Sequence, residues 1–460
     1  MKRTLGEFAR ACGGQLQGAD GAYTDVVSDS RTLKPQQLFI ALKGASFDGE
    51  QFVAAAQAAG AAGAVVATLQ AAPLPQIVVA DTQAALTRAA RAWRADFHGP
   101  LVGVAGSNGK TTAKEMTAAI LGKAGDCLAT RGNLNNHIGV PLTLLRLTPG
   151  HRFAVIEMGA NHPGEVAALA ELARPSVGMI TNAGAEHLEG FGSLEGVARA
   201  EGEIVAALPP PATAVINADD SFAPLWRGLT RARVVSFGLH GEADFSAREV
   251  RTAIGAGGFH TRFRLTAPQG SAAIELHLGG THNVANALAA AAAATSAGAT
   301  LEHIAAGLAE VRAVAGRLQF KRAAGGAWLI DDSYNANPSS MRAAIEVLAS
   351  LDGRKWLVLG EMAELGVFAA QAHAEIGEFA RAAGIERLYA TGALMADTVA
   401  SFGAGAQWFA DTAALAAALT AALAQAGSEV RLLVKGSRCN RLERVVDALT
   451  GVAAGGGGGR

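Results

Sequence analysis

The segment 106–112 carries the side chains with the clearest chemical meaning, because it reads Gly-Ser-Asn-Gly-Lys-Thr-Thr. Glycines at this spacing let backbone N–H groups approach phosphate oxygens, as in loops that bind nucleoside triphosphates. Lys110 can reach the β- and γ-phosphates, and the Thr111 hydroxyl can coordinate Mg²⁺. Val104 stands where the strict P-loop pattern has its first glycine, so an ordinary glycine-rich turn is the alternative. The predicted nucleotide-binding residues are Gly106, Ser107, Asn108, Gly109, Lys110, Thr111 and Thr112.

The elements on either side of this segment are expected to hold it in place. The apolar run 101–105 predicts a buried parallel strand, and apolar residues on one face of 113–121 predict a helix beginning at Lys110. The positive end of that helix dipole would face the phosphates. A strand, a glycine loop and a helix N-terminus together form an anion-binding arrangement.

Polar side chains also lie where the next predicted strands end. Three strand-like runs after the loop carry Glu157, Asn182 and Asp219 at or near their carboxyl ends. Ligands of open parallel sheets bind at that edge. Glu157 is the predicted Mg²⁺ ligand beside Thr111, because a hard cation prefers carboxylate and hydroxyl oxygens. His187 is a second candidate metal ligand, and a structural histidine is the alternative.

The composition indicates a globular protein of a reducing compartment. Half of the 460 residues are hydrophobic, 17% are charged and the net charge is −1, which gives no electrostatic case for nucleic acid or an anionic membrane. Three cysteines, far apart in sequence, lack metal-ligand spacing. No secretory signal or membrane-spanning run is visible. We therefore expect a soluble, cytoplasmic protein without membrane insertion and without a nucleic-acid partner.

Periodicity divides the chain into three α/β domains. Residues 1–85 are predicted to form a small substrate-binding domain, and 86–312 an ATP-binding domain with a central parallel sheet. Alternating polar and apolar residues within 243–278 predict an antiparallel extension of that sheet. Residues 313–460 alternate strands and helices, as in a doubly wound, Rossmann-like domain, and end in a flexible glycine run at 455–459.

Two further groups of polar residues are candidates for ligand binding. Ser30, Arg31 and Lys43 lie at predicted strand ends and can hold a phosphate-bearing substrate, although surface solvation is the alternative. Asn283 and Asn286 are three residues apart on one helix face, where amides suit a purine edge. Capping of that helix by Asn283 is the alternative reading.

Four motifs, in this order, resemble those of the Mur ligase family of cytoplasmic cell-wall enzymes, and the similarity covers nearly the whole chain. They are Gly-Asn-Leu-Asn-Asn-His-Ile-Gly-Val-Pro at 132–141, Asp-Ser-Tyr-Asn-Ala-Asn-Pro at 332–338, Gly-Glu-Met-Ala-Glu-Leu-Gly at 360–366 and Val-Lys-Gly-Ser-Arg at 434–438. The resemblance implies an ATP- and Mg²⁺-dependent amide ligase that works through an acyl phosphate. Its implied substrates are UDP-N-acetylmuramoyl-tripeptide and D-alanyl-D-alanine, and a monomer is expected.

The resemblance also implies roles for individual residues. Asn283 and Asn286 correspond to the adenine readers, and Arg317 to an arginine that reaches the ATP phosphates. Asp332 corresponds to the residue at the ribose, and His187 to a ligand of a second Mg²⁺. The residues implied for the substrates are Ser30, Arg31, Lys43, Gly44, Asn135, Asn136, Asn335, Asn337, Lys435, Ser437 and Arg438.

Two positions depart from the family pattern. The chain has Asp-Gly-Glu at 48–50 where the family often has Asp-Gly-His. Glu201, fourteen residues after His187, stands where the family typically has a carbamylated lysine. We predict that the Glu201 carboxylate replaces the carbamate as an anionic ligand of the second Mg²⁺, which completes a catalytic set with Lys110, Glu157 and His187. A solvated helix residue is the alternative.

Three other functions remain open from the sequence. The ligase that adds the third peptide residue usually carries Asp-Asn-Pro-Arg in its last domain, and that motif is absent here. A folate polyglutamate synthetase shares the loop but lacks a first domain of this size. A P-loop switch or motor without ligase activity is the third alternative. The identity of the diamino acid in the tripeptide is not determined by any motif.

Overall fold

The computed structural model describes residues 3–44, 47–255 and 257–451, and these contain three mixed sheets packed against helices and one two-stranded antiparallel sheet. The predicted α/β class is confirmed. The glycine run at 455–459 lies outside the described residues. In the part of the chain that is described, no helix combines the length and the apolar character needed to cross a membrane.

The first region contains a five-stranded sheet of order β2-β7-β6-β5-β4, in which only β2 is antiparallel to its neighbour. A short antiparallel pair, β1 and β3, precedes it. The elements are β1 (Arg3–Thr4), α1 (Leu5–Cys12), β2 (Gln15–Gln17), β3 (Ala22–Tyr23), β4 (Val26–Val27), β5 (Leu38–Ile40), α2 (Val53–Ala58), β6 (Gly63–Val66), β7 (Gln76–Val78) and α3 (Thr82–Ala95).

The central region contains a nine-stranded sheet of order β16-β15-β14-β13-β12-β11-β8-β10-β9. Strands β8 to β14 run parallel, and β14, β15 and β16 form the predicted antiparallel extension. The elements are β8 (Leu101–Ala105), α4 (Lys110–Gly122), β9 (Cys127–Ala129), α5 (Gly139–Leu144), β10 (Phe153–Glu157), α6 (Glu165–Ala173), β11 (Val177–Ile180), α7 (Leu188–Phe191), α8 (Leu194–Ala206), β12 (Thr213–Asn217), α9 (Ala223–Leu229), β13 (Arg233–Gly238), β14 (Phe245–Gly255), β15 (Gly258–Ala267), β16 (Gly270–Leu276), α10 (Thr281–Ser296) and α11 (Leu301–Glu310).

The third region contains a six-stranded sheet of order β17-β18-β22-β19-β20-β21, which is parallel except for β17. Separate apolar cores cover its two faces, as in a doubly wound fold. The elements are β17 (Gln319–Arg322), β18 (Trp328–Asp332), α12 (Pro338–Ala349), β19 (Arg354–Gly360), α13 (Ala369–Ala382), β20 (Arg387–Thr391), α14 (Met395–Phe402), β21 (Ala406–Phe409), α15 (Thr412–Ala426), β22 (Val430–Lys435) and α16 (Glu443–Thr450).

Small side chains allow the helices of the central region to pack closely. Helix α10 is alanine-rich and buried along most of its length against the sheet and α4. A Cβ at Gly307 of α11 would come within 2.5 Å of the Ile120 backbone in α4, so only glycine fits there. This close packing fixes α4 and α10, and both helices carry predicted site residues near their N-termini.

The predicted domain boundaries remain predictions. Helix α3 runs across the boundary placed at 85/86, and its apolar side chains join the cores of the first and central regions. The boundary at 312/313 falls between the end of α11 and the beginning of β17.

Candidate active site

A cavity of about 680 Å³ lies at the carboxyl ends of the central parallel strands and is covered by the third region. It brings together most of the residues singled out from the sequence. Those that line it are Ser107, Asn108, Gly109, Lys110, Thr111, Thr112, Asn135, Asn136, Glu157, His187, Asn283, Asn286, Arg317, Asp332, Asn335, Asn337 and Lys435.

The glycine loop between β8 and α4 is held from both sides. Gly106 and Gly109 have φ of +121° and +82°, and a Cβ on either would overlap the side chain of Thr181 or Asn286 respectively. Asn182 accepts a hydrogen bond from the Asn108 N–H at 3.0 Å and donates one to the Asn108 carbonyl at 2.9 Å. The loop is therefore preorganised, with α4 beginning at Lys110.

Lys110 is surrounded by carboxylates. Its ammonium donates to the carbonyls of Gly106 and Ser107 and forms an ion pair with Glu186 at 3.3 Å. Burial lowers the pKa of Lys110, but the charges of Glu186, Glu201 and Glu157 outweigh burial, and the net result is a raised pKa. The lysine is therefore a permanent cation at the loop, as phosphate binding requires.

Glu157 is positioned as a ligand with one free oxygen. Its Oε1 accepts hydrogen bonds from Thr111 Oγ1 at 3.2 Å and from Asn135 Nδ2 at 2.9 Å. Its Oε2 is buried and has no hydrogen-bond partner among the described residues. A buried carboxylate oxygen without a partner is costly unless a cation or water binds it. The Thr111 and Glu157 pair therefore fits a hard divalent cation.

Glu201 of α8 reaches the glycine loop from behind. The side chain is only 2% exposed, so the alternative of a solvated helix residue is wrong. Its Oε2 accepts a hydrogen bond from the Gly106 N–H at 2.6 Å. Burial raises the pKa of Glu201 to about 7, against the opposing effect of Lys110. Glu201 does not line the large cavity, so its carboxylate is placed at the loop backbone rather than in open space.

His187 connects the central region to the third one. It is the N-cap residue of α7 and has a left-handed φ of 49°, and its Nδ1 contacts the carboxylate of Glu364 in the motif at 360–366. The imidazole lies on the boundary between the large cavity and a smaller cavity of about 290 Å³. Ser437 and Arg438 line this smaller cavity.

The two asparagines of α10 face the phosphate loop. Asn283 Nδ2 donates to the Gly279 carbonyl at 2.7 Å, and Asn286 Nδ2 donates to Asn283 Oδ1 at 3.2 Å. Gly280 is the N-cap residue of α10, so the alternative that Asn283 caps the helix is wrong. The buried amides line the cavity beside the loop, where a purine base can be read.

Residues of the third region close the cavity. Asp332 accepts hydrogen bonds from the Leu318 N–H at 3.0 Å and from Lys435 Nζ at 2.6 Å. The Arg317 guanidinium stacks on Tyr334, with 4.4 Å between Cζ and the ring centroid. These contacts fix Arg317 just before β17 and Asp332 at the end of β18, both lining the cavity opposite the loop.

The residues predicted to bind the UDP part of a substrate lie apart from this cavity. Arg31 is exposed and pairs with Asp29 at 2.7 Å, and Lys43 pairs with Asp48 at 3.7 Å. Ser30 and Gly44 lie in the same first region and do not line either cavity. Their predicted role remains a prediction.

Glu50, which stands where the family often has histidine, makes several hydrogen bonds within the first region. Its Oε1 accepts hydrogen bonds from the N–H groups of Ala67 and Thr68 at 2.6 and 2.8 Å, and its Oε2 accepts one from Gln70. The glutamate therefore fixes the loop after β6.

Comparison with known proteins places the chain. Three family domains match it in order: the Mur ligase family catalytic domain at 22–94, the Mur ligase middle domain at 104–294 and the Mur ligase glutamate ligase domain at 316–438. The UDP-N-acetylmuramoyl-tripeptide–D-alanyl-D-alanine ligase of Escherichia coli (strain K12) is 46% identical over 448 residues, covering 97% of this chain and 98% of that protein. The chain belongs to the Mur ligase family.

Solved structures agree with this membership. A crystal structure of MurF from Acinetobacter baumannii superimposes with a TM-score of 0.90 at 34% identity and covers 98% of this Mur ligase and 99% of that chain. A MurF ligase from Thermotoga maritima in complex with ADP gives a TM-score of 0.79 at 26% identity, with coverages of 93% and 97%. A folylpolyglutamate synthase from Mycobacterium tuberculosis, 17% identical with a TM-score of 0.66, shares the fold and covers 80% of this chain.

Several residues that contact the site in this Mur ligase were not predicted from sequence. Glu186 pairs with Lys110, and its place directly before His187 is the signal that was available. Across the cavity, Glu364 contacts His187 and Ser339 contacts Asn108. Glu364 lies in the motif at 360–366, and Ser339 directly follows the motif at 332–338. His282 also lines the cavity and directly precedes Asn283, the first of the two predicted purine readers.

His282 provides a pH-dependent contribution to stability. Burial lowers its pKa to about 4, from an ordinary value of 6.5, and Lys435 adds to the effect while Asp332 opposes it. The unfolded chain therefore binds a proton on His282 between these values and the folded chain does not, so the stability contribution is lost as pH falls below 6.5. The free energy of unfolding should drop by about 1 kcal/mol more between pH 7 and 5.5 in wild type than in His282→Gln. Urea unfolding at both pH values checks this, and parallel pH profiles for the two proteins would contradict it.

Asn337 joins two regions across the cavity and also caps α12. Its Oδ1 accepts from the Ser340 N–H at 2.8 Å, and its Nδ2 donates to Asn108 Oδ1 at 2.8 Å. Asn337→Asp keeps a good cap but loses the donor and places a negative charge near Glu186. We expect kcat/KM for ATP to fall about tenfold, with little loss of thermal stability. Ser339→Ala is the milder control, because it removes the 2.9 Å contact to Asn108 and a 3.0 Å hydrogen bond to Asn337 Oδ1 without adding a charge. An unchanged kcat/KM in Asn337→Asp would contradict a role of Asn337 in holding the loop.

Proposed function

We propose that this Mur ligase joins D-alanyl-D-alanine to UDP-N-acetylmuramoyl-tripeptide, with conversion of ATP to ADP and phosphate, as a step in the synthesis of peptidoglycan precursors. The observation that carries the proposal is the 46% identity, over nearly the full length of both chains, to the Escherichia coli ligase named for this reaction. The cavity supports it, because a preorganised phosphate loop faces polar residues of the third region across it.

The proposed reaction has two steps. The terminal carboxylate of the tripeptide attacks the γ-phosphorus of ATP, which yields an acyl phosphate and ADP. The amine of D-alanyl-D-alanine then attacks the acyl carbon, and the tetrahedral intermediate expels phosphate as the amide forms. Phosphoryl transfer depends mainly on positioning and on neutralising charge. The loop N–H groups and the Lys110 ammonium supply both, and Arg317 adds a cation from the third region.

The residues present fit Mg²⁺. The unpartnered Glu157 Oε2 and the Thr111 hydroxyl would hold one ion. For a second ion we propose His187 and Glu201, whose carboxylate would leave the Gly106 N–H and turn towards the cavity. Three carboxylates around Lys110, those of Glu157, Glu186 and Glu201, leave an excess of negative charge that divalent cations would balance. When bound, Mg²⁺ neutralises charge on the β- and γ-phosphates.

The remaining side chains are assigned by position. Asn283 and Asn286 read the adenine, and Asp332 contacts the ribose. An acyl phosphate hydrolyses when water reaches it, so the contacts of Asn108 with Asn337 and Ser339 are proposed to exclude water during catalysis. The tripeptide and dipeptide are placed along Asn135, Asn136, Asn335, Lys435, Ser437 and Arg438, and the UDP group at Ser30, Arg31, Lys43 and Gly44.

We assign one of these binding roles to each predicted domain. Residues 1–85 bind the UDP-sugar, 86–312 bind ATP, and 313–460 close over the cavity and receive the dipeptide. We propose a monomeric enzyme of the cytoplasm.

Phosphate release from ATP tests the proposal directly. The enzyme is given ATP, Mg²⁺ and UDP-N-acetylmuramoyl-tripeptide, with and without D-alanyl-D-alanine. Sustained release that requires both substrates, with formation of the pentapeptide product by mass spectrometry, is the expected result. Equal ATP turnover without an acceptor would favour a nucleotide switch, and glutamate addition to a folate would favour a folate polyglutamate synthetase.

A further inference from the structure

The antiparallel extension of the central sheet carries a polar group on its outward face, away from the cavity. In β15 and β16, Arg262 is the register partner of Glu275, and Thr261 is the partner of Leu276. Continuing this register by one position places His260 opposite His277. Thr261, between His260 and Arg262, and Leu276, between Glu275 and His277, are buried. Because side chains alternate between the two faces of a strand, the two histidines, Glu275 and Arg262 share the outward face.

The three potential ligands are close together. The imidazole rings of His260 and His277 are 4.7 Å apart between centroids, with an angle of 76° between their planes. His260 Nδ1 lies 3.7 Å from Glu275 Oε1. One ligand atom from each of the three residues lies within 4.8 Å of the other two. Directly opposed and diagonal positions of an antiparallel pair provide this spacing because their side chains project from the same face.

Both imidazoles are available as ligands. Within the described residues, the ring nitrogens of His260 and His277 make no hydrogen bond, and the nearest carboxylate contact is the one between His260 and Glu275. Burial lowers the pKa of His277, and the positive charges of Arg312 and His260 lower it further, while Glu275 opposes them. The neutral imidazole is the form that binds metal ions.

We propose that His260, Glu275 and His277 bind one divalent transition-metal ion of the Zn²⁺ class, separate from the nucleotide site. Two imidazole nitrogens and one carboxylate are a ligand set for Zn²⁺, with water in the open position, and they disfavour Mg²⁺, which prefers oxygen ligands. The half-exposed side chains leave an entry path from solvent.

The position of the ion gives it a structural consequence. His277 lies just before Gly280, the N-cap residue of α10, and His260 follows Phe259, which packs in the core of the third region. A bound ion would tie β15 to the segment that leads into α10. It should therefore stabilise the junction between the central and third regions, and saturating Zn²⁺ should raise the thermal midpoint.

Arg262 supplies a sharp test of a cation site, because its guanidinium lies 3.4 Å from Glu275 Oε1. A single positive charge about 6 Å from a divalent ion weakens binding roughly tenfold in a water-like dielectric. Arg262→Gln should therefore bind Zn²⁺ about tenfold more tightly than wild type. A purely structural role for the cluster predicts no such gain.

The experiment measures Zn²⁺ binding to the full chain by isothermal titration calorimetry, with Mg²⁺ and ADP present at saturation so that the nucleotide site is filled. Wild type should bind one more Zn²⁺ than His277→Ala or Glu275→Gln, or bind that ion ~100-fold more tightly. The control His98→Ala, which removes an exposed histidine elsewhere in the chain, should bind Zn²⁺ as wild type does. Circular dichroism confirms folding of each variant, and Glu275→Gln serves where a histidine variant does not fold. Equal Zn²⁺ binding by wild type and Glu275→Gln, no gain in Arg262→Gln, or equally tight binding of Mg²⁺ at the cluster would overturn the proposal.

Discussion

Replacing Lys110 with alanine is expected to reduce kcat by about a thousandfold or more. The Lys110 ammonium is buried, donates to two loop carbonyls and is held by Glu186 at 3.3 Å. Charge on the transferring phosphoryl group develops beside it, and the Lys110 side chain is only 16% exposed, which limits screening of its charge by water. Removing the cation also leaves three neighbouring carboxylates without their counter-charge.

Steady-state phosphate release with all three substrates checks this prediction, and Lys110→Met is the control for side-chain volume. Both variants should lose turnover together, because the charge rather than the volume is required. Circular dichroism and thermal unfolding separate loss of chemistry from loss of fold. Near-native turnover in a folded Lys110→Met protein would remove the phosphate loop from the mechanism.

The fold was largely predictable because its signals are local. The apolar run at Leu101–Ala105, followed by Gly106 and Gly109, predicts a strand, a tight loop and a helix, and the structure has all three. Alternation of polar and apolar residues likewise predicted the antiparallel strand β15 (Gly258–Ala267), whose side chains alternate between exposed and buried from Thr261 to Leu265. Such patterns depend on the backbone period alone, so sequence reveals them.

Contacts between distant segments were less predictable. Glu364 reaches His187, and Ser339 reaches Asn108, only because the third sheet folds back over the cavity. His260 and His277 meet through strand register, which no local pattern reveals. The motifs marked the segments of Asn108 and Glu364 as functional, but the pairing of individual side chains depends on tertiary geometry.

The charge of Glu201 is expected to be essential for turnover and costly for stability. Glu201→Gln keeps an oxygen that can accept the Gly106 N–H but removes the anion from the loop. If Glu201 supplies the negative charge that relatives obtain from a carbamylated lysine, kcat should fall about a hundredfold and half-saturation should require more Mg²⁺. The matched variant Glu201→Lys should be inactive without bicarbonate and regain activity when bicarbonate is added, whereas wild type should not respond.

Glu201→Gln should lose activity but gain stability at high pH. The folded pKa of Glu201, about 7, lies above its ordinary value of 4.5, so between these values the folded chain holds a proton that the unfolded chain has released. The free energy of unfolding of wild type therefore falls as pH rises from 4.5 to 7, by about 3 kcal/mol for this group. Glu201→Gln lacks this loss. The free energy of unfolding of Glu201→Gln minus that of wild type should therefore be larger at pH 8 than at pH 5. Urea unfolding at the two pH values measures the gain, and turnover in bicarbonate-depleted buffer measures the function. A bicarbonate requirement in wild type, or full activity in Glu201→Gln, would show that another group carries the charge.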